Sequence, residues 1–484
     1  MLDTPTEAPA YRRRRRLLVA VIVLALIILL ALLWRPMLRA FGVRAQPPAE
    51  LTLFLTADTR GHLEPCGCRS DQSGGLPVRS TLLRQDKART RLLVDAGNTT
   101  YGNREYDRLK FSHILDAMAL MRYDAVNLGP TDVSLTRDEL VALVKAHPSL
   151  PFVSCNVLDA RSRRPVVKPY VVRRFGGYRI GITGVTGNQL DAVGEGLMIV
   201  PPIEALSQWA PKVAKRCDYL VVAAFVDRAT MEEIARKFYE VDAVLGGDVP
   251  QSSGYAETVN RATLFAVTDR GKLIGRVALK RSEAGALELV AGTGLAVKDS
   301  LPTDPRVVAV VDAFKGELKR RRIEFAESAE HLDPIAAPPR SAEADHYVGS
   351  QACQECHAPC YAVWQKSAHL RSLEVLRPRN NQYDPECLPC HVLGYGASDG
   401  YVSEEKTPLL ACVQCESCHG RGAKHVEAHK AGEAPMVSSL RAVTPNTCIK
   451  CHDEENSENF TYAGFWPRIK HSDPELHAQA GREG

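Results

Sequence analysis

The sequence predicts three parts: one N-terminal transmembrane helix, an α/β domain with a largely buried sheet, and a C-terminal domain ordered by a repeated cysteine–histidine motif. Three observations carry this. Leu17–Trp34 runs for 18 residues without a charge. Short apolar strands alternate with helical patterns from residue 49 to residue 300. Cys-x-x-Cys-His occurs four times between Tyr347 and His452.

The motifs are Cys353-Gln-Glu-Cys356-His357, Cys387-Leu-Pro-Cys390-His391, Cys415-Glu-Ser-Cys418-His419 and Cys448-Ile-Lys-Cys451-His452. Two thiols one helical turn apart add to the two vinyl groups of a porphyrin. The adjacent histidine then lies under the ring and ligates its iron, so this is the spacing of haem c attachment. With 14 cysteines and 14 histidines in 484 residues, chance supplies about 0.01 such motifs. Zinc sites pair Cys-x-x-Cys without an obligate following histidine. Four haem c groups are expected, with His357, His391, His419 and His452 as proximal ligands.

Haem attachment of this kind takes place outside the cytoplasm, and the N-terminus agrees. Residues 1–16 form a basic tail ending in Arg12–Arg16, which marks the cytoplasmic side. Residues 17–34 then span about 27 Å as a helix, close to the thickness of a bilayer core. A cleaved signal peptide ending at Val43-Arg44-Ala45 is the competing reading. The apolar run is longer than a usual signal core and ends about ten residues too early for it. The expected location is a bacterial inner membrane, single-pass, with the bulk of the chain in the periplasm. Residues 35–48 are a linker. The net charge of +4 is of mixed sign and excludes a polybasic nucleic-acid surface.

Strands are expected at Leu51–Thr56, Arg91–Val94, Ala125–Leu128, Phe152–Val157, Arg179–Val185, Tyr219–Ala224 and Ala243–Leu245, with a helix over Phe111–Met121. The order of landmarks resembles the 5′-nucleotidase and UDP-sugar hydrolase family of calcineurin-like metallophosphatases. The matching stretches are Thr56-Ala57-Asp58-Thr59-Arg60-Gly61, Gly74 to Arg79, Asp95 to Asn98, Leu128 to Asp132, Cys155-Asn156 and Gly247-Asp248. The resemblance implies a two-metal hydrolase, but the family's ligands are mostly replaced. Asp58 is kept. Arg60, Asn98, Pro130-Thr131, Phe225-Val226 and Asp248-Val249-Pro250 stand where ligands are expected. Arginine repels a cation and proline has no ligand atom, so residues 49–300 read as a degenerate scaffold without its dimetal centre.

Directly after the first strand comes His62-Leu63-Glu64-Pro65-Cys66-Gly67-Cys68. It resembles the Cys-Gly-Cys signature of a nucleotidase-like subgroup. Three readings stay open: a redox dithiol, a soft-metal or haem-edge site with His62, and plain loop cysteines. Cys155 and Cys217 lie in apolar contexts and read as buried small hydrophobes. Residues 301–345 read as a charged helix with a solvated Lys319–Arg322 run, then a Pro-rich linker.

From Tyr347 the chain resembles the cytochrome c-554 family of multihaem cytochromes, through Trp364-Gln365-Lys366-Ser367-Ala368-His369, Cys387 to Gly396 and Cys415 to Gly422. This implies a mainly α tetrahaem cytochrome c domain over residues 346–484, fused to the α/β metallophosphatase-like sandwich. Distal ligand candidates are His369, His425, His429 and His471, with His346 and His477 in reserve. In the family the second-motif haem lacks a histidine distal ligand, which points to His391. A disulfide between Cys360 and Cys412 is compatible with the compartment.

The expected function is electron transfer by a membrane-anchored periplasmic tetrahaem cytochrome, exchanging with a redox protein or a quinol-linked partner. One alternative is an enzyme acting on a small nitrogen or oxygen species at an open haem on the second motif. The other, disfavoured by the lost ligands, is a 5′-nucleotidase-type hydrolase.

Overall fold

The computed structural model describes residues 50–66, 72–175, 177–187, 192–321, 345–432, 440–454, 456–457 and 459–471. The span expected over Leu17–Trp34 lies outside these residues, as do Cys68 and His477. Among the described residues no helix is long and apolar enough to cross a membrane.

Two six-stranded sheets form the centre of the α/β domain. In the first, Arg91–Asp95 lies parallel to Glu50–Thr56, followed outward by Ala125–Asn127 and Phe152–Val153. On its other side the hairpin Leu273–Arg281 and Leu287–Ala296 completes the sheet antiparallel. In the second, Tyr219–Phe225 is parallel to Tyr178–Thr186 and Ala243–Gly246, with antiparallel strands at both edges.

Strand alternation decides what each face buries. Leu51, Leu53 and Leu55 point inward and meet Ile180, Ile182, Val221 and Ala223 of the second sheet in one core. Phe54 points the other way, under the helices Glu105–Met121 and Pro305–Arg321. Helices Pro202–Ala214 and Arg228–Lys237 cover the second sheet's outer face. The result is a four-layer αββα sandwich. Two expectations change. The strand predicted over Phe152–Val157 breaks into Phe152–Val153 and Val157–Asp159 around Asn156, whose side chain bonds the main chain of Thr186 and Val200 instead of sitting in a ladder. The helix expected as part of the linker belongs to the sandwich: Val307, Val311, Phe314 and Leu318 are buried in its core.

The C-terminal domain has short helices and no strand among its described residues, with a small core of Tyr347, Leu373, Leu376, Leu388, Val392, Leu393 and Tyr401. So small a core is consistent with porphyrins supplying the remaining apolar bulk. Glu416 ties the domain's start to its third motif. Its buried carboxylate accepts from Val348 N, Gly349 N and Gly422 N at 2.8–3.1 Å.

Candidate haem centres and the remnant metal site

Each motif is carried on or beside a short helical turn: Ser350–Gln354, Leu388–His391, Cys415–His419 and Pro445–Cys448. One turn brings the two cysteines of a motif to the same side. It also fixes the histidine that follows, as in His357 N to Cys353 O at 2.9 Å and His452 N to Cys448 O at 3.0 Å.

The histidine rings meet in three pairs. His357 stacks on His425 with centroids 6.1 Å apart, His452 faces His369 at 6.2 Å, and His419 faces His471 at 6.0 Å. Two metal–imidazole bonds of about 2.0–2.1 Å, plus about 1.1 Å from nitrogen to ring centre on each side, set about 6.3 Å across one iron. Each pair joins one motif histidine to one candidate distal histidine. The structure thus brings three of the ligand candidates, His369, His425 and His471, beside motif histidines. His429 joins no ring pair.

The surroundings fit neutral ligands. Burial holds His369, His419, His425 and His452 below the ordinary imidazole value. Nδ1 of His419 lies 3.2 Å from Arg441 O, that of His452 2.9 Å from Ser457 Oγ, and that of His471 2.8 Å from Ile469 O, which orients the rings and leaves Nε2 for iron. His425 Nδ1 is buried with no hydrogen-bond partner, the state of a nitrogen that a bond to another group would satisfy. The residues present fit haem c.

His391 differs: among the described residues no second histidine ring pairs with it. Its Nδ1 lies 2.5 Å from Ser372 O, and Ser372 Oγ donates to His391 O at 2.8 Å while accepting from Val413 N at 2.9 Å. Among the described residues, the segment leading to the second motif touches the sandwich. Tyr106 OH donates to Asp384 Oδ1 at 2.8 Å, Lys110 Nζ to Glu386 Oε2 at 2.7 Å, and Lys315 Nζ to Arg379 O at 2.7 Å. Sequence reasoning missed this seam, because its partners lie far apart along the chain and its buried members are polar.

The remnant metal site lies at the ends of the sandwich strands. Asp58 Oδ1 accepts from Arg60 Nε and from Asn98 Nδ2, each at 2.7 Å, and Oδ2 from Thr268 Oγ1 at 2.9 Å. The guanidinium and amide take the places on the carboxylate that cations would need. Asn98 Oδ1 in turn accepts from Thr131 Oγ1 at 2.7 Å. Asp132 is closed off by the backbone N–H groups of Asn98, Thr99, Thr100 and Gly129. A cavity of about 460 Å³ opens beside Asp58 and Arg60, lined also by Thr268, Arg270 and Lys272. Among the described residues no group of three His, Cys, Asp or Glu side chains is placed to hold a metal ion.

The remaining expectations divide. Residues Pro65–Cys66 pair with Ser73–Gly74 as a two-residue ribbon, and Cys68 lies outside the described residues. His62 Nδ1 lies 3.0 Å from Thr59 O, with the imidazole pushed down by burial and by Lys110. The disulfide expected between Cys360 and Cys412 is not formed in the structure. Cys412 occupies a left-handed turn at φ 78°. The turn is tied to the helix of Cys360 by the Trp364 indole, which donates to Val413 O at 2.9 Å, a hydrogen bond in place of a covalent link. Cys155 and Cys217 are buried, as expected.

Fold and site together resemble two known classes: a c-type cytochrome domain and a 5′-nucleotidase-like sandwich. The particulars come from known proteins. A family profile described as cytochrome c554 and c-prime matches residues 352–420, which hold the first three motifs. The chain is 33% identical over 123 residues to cytochrome c-554 of Nitrosomonas europaea, covering 22% of this chain and 52% of that protein. It is 25% identical over 308 residues to a snake venom 5′-nucleotidase of Naja atra, covering 56% of this chain and 58% of that one. The chain thus spans little more than half the length of these relatives. A solved 5′-nucleotidase precursor from Thermus thermophilus aligns with TM-score 0.48 at 22% identity, over 63% of each chain.

Proposed function

We propose that this protein is a membrane-anchored tetrahaem c-type cytochrome of the bacterial periplasm, and that its work is electron transfer between a quinol-linked or protein donor and another redox protein. The observation that carries it is the set of three histidine pairs at 6.0–6.2 Å, each built on one attachment motif. Haem held by two imidazoles exchanges one electron without changing ligands. The chain's part is to hold the paired histidines at the two-imidazole distance, to orient His419, His452 and His471 through their Nδ1 contacts, and to keep the buried imidazoles neutral. The fourth motif lies beyond the family match but brings His452 to His369 in the same way, which supports a count of four. The anchor rests on the uncharged run Leu17–Trp34 after five arginines.

A second reading has one observation in its favour. His391 has no paired histidine among the described residues, so its haem is the candidate place for chemistry on a small nitrogen or oxygen species. Hydrolysis is disfavoured, because Asp58 is already bonded by Arg60, Asn98 and Thr268. Electron paramagnetic resonance of the oxidised full chain decides the first point. Three low-spin signals and one high-spin signal are expected. Four low-spin centres would remove the open-haem reading, and fewer than three would remove the bis-histidine assignment.

A further inference from the structure

The seam between the two domains contains a hydrogen-bonded chain that neither domain completes alone. It starts at Glu386, whose side chain is 46% exposed. Glu386 Oε2 lies 2.7 Å from Lys110 Nζ. Lys110 Nζ donates to Tyr106 OH at 3.1 Å, and Tyr106 OH donates to Asp384 Oδ1 at 2.8 Å. Lys110, Tyr106 and Asp384 are 7%, 1% and 8% exposed, so the chain leads from solvent to a buried carboxylate. That carboxylate sits one turn before the second motif: Asp384 O accepts from Cys387 N at 3.0 Å and from Leu388 N at 3.1 Å. Tyr106 and Lys110 of the sandwich lie near Cys387, the first cysteine of that motif.

We propose that this seam is a proton-loading site for the haem of the second motif: when that haem gains an electron, one proton from solvent passes along Glu386, Lys110 and Tyr106 onto the Asp384 carboxylate. The step balances. One electron from an external one-electron reductant or a neighbouring haem lowers the iron from ferric to ferrous. One proton converts Asp384 from carboxylate to carboxylic acid, so haem and seam together gain no net charge. The donor directions suit this flow, since Lys110 gives to Tyr106 and Tyr106 gives to Asp384, and Lys110 is refilled from the exposed Glu386. Two carboxylates against one ammonium leave the cluster one negative charge in excess, and an added electron nearby favours protonation further.

The choice of Asp384 follows from its surroundings. Burial, then the Glu386 charge, pushes Asp384 above the ordinary carboxylate range, against the pull of Lys110 and Tyr106. Desolvation would also raise Glu386, but the Lys110 charge and hydrogen bond outweigh it and hold that group low. The other titratable or charged groups facing the cluster are His62 and Arg104 from the sandwich and Tyr395 from the haem domain.

The test is spectropotentiometry of the full-chain holoprotein as a function of pH, from the ordinary carboxylate range upward. The midpoint of the second-motif haem, followed by its own spectral signature, should fall as pH rises, by up to about 59 mV per unit for one proton per electron. Asp384→Asn should flatten that slope and leave the three bis-histidine haems unchanged. Tyr106→Phe removes a donor that favours the ionised carboxylate, so the sloping window should move to higher pH. It also keeps the proposal falsifiable if Asp384→Asn fails to fold. A pH-independent midpoint in the wild type, or a slope unaltered in a folded variant, overturns the proposal. The inference rests on the haem reading above, and the two fail separately. A pyridine haemochrome assay showing no haem c sinks that reading, whereas a flat midpoint with haem present sinks only the proton path.

Discussion

Arg60 and Asp58 show how neighbouring side chains saturate a carboxylate at the position where the family resemblance implies a metal ligand. Both adopt left-handed backbone, at φ 43° and 54°, and Asn98 does so at φ 66°. Each such residue costs on the order of 1–3 kcal/mol and persists where its neighbours over-determine it. Here the Arg60 and Asn98 hydrogen bonds to Asp58 do so. Asp95, in the turn beside them, carries a different cost. It is 1% exposed, accepts from Thr56 Oγ1 at 2.5 Å and Gly97 N at 2.9 Å, and burial pushes its carboxyl up to about 7. A folded value raised above the unfolded one, about 3.9, means stability that is complete below about pH 4 and is lost as pH rises through about 7. The sandwich should therefore weaken across that interval, by at most roughly 4 kcal/mol. Asp95→Asn keeps the shape and an acceptor but cannot ionise, so its urea midpoint should fall less than the wild type's over the same pH range, the remaining dependence belonging to Asp132, which burial raises to about 6. A pH dependence equal to that of the wild type would show that Asp95 does not carry the effect.

At the scale of elements, the helix Pro305–Arg321 couples the sandwich to the haem domain. Phe314 is 2% exposed and meets Tyr106 with ring centroids 5.9 Å apart and His113 at 5.6 Å. Phe314→Ala should cost about 3–5 kcal/mol, read as a lower denaturation midpoint by circular dichroism. A loss under 1 kcal/mol would mean that this helix is not part of the core. The sandwich strands were legible because both faces are apolar, as in Leu51–Thr56 and Tyr219–Phe225. The first turns of the helix Glu105–Met121 were not. Tyr106, Asp107 and Lys110 are buried polar residues that no hydrophobic period reveals, and Lys110 is satisfied by Glu386 276 residues away. The haem histidines were legible as a set through Cys-x-x-Cys-His and Ser-x-His spacing. Their pairing was not: His369 follows the first motif but faces His452 of the fourth, a choice made by chain packing rather than by local order.

For the whole molecule, the seam decides whether two domains act as one. Two lysines of the sandwich bond across it. Lys110 bonds Glu386 and Tyr106; Lys315, 7% exposed, bonds Arg379 O of the haem domain and Glu64 Oε2 of the sandwich, both at 2.7 Å. Lys315 thus ties the loop after the first strand to the approach to the second motif. Its role is separable from proton movement, because it makes no bond to Asp384 or Glu386. Lys315→Met keeps the buried alkyl stem and removes the ammonium, leaving the Arg379 carbonyl without that donor, at a cost of about 1–3 kcal/mol. Because the loss falls on docking and not on either core, amide hydrogen exchange of the full-chain holoprotein should rise in residues 379–388 and around Glu64, while strands such as Tyr219–Phe225 and the haem absorption spectrum stay as they are. The second-motif midpoint should keep its pH slope in this variant, since the path through Lys110 and Tyr106 remains. Uniformly faster exchange throughout the sandwich would instead assign Lys315 to its core, and unchanged exchange at residues 379–388 would mean that the seam is held by Lys110 and Tyr106 without it.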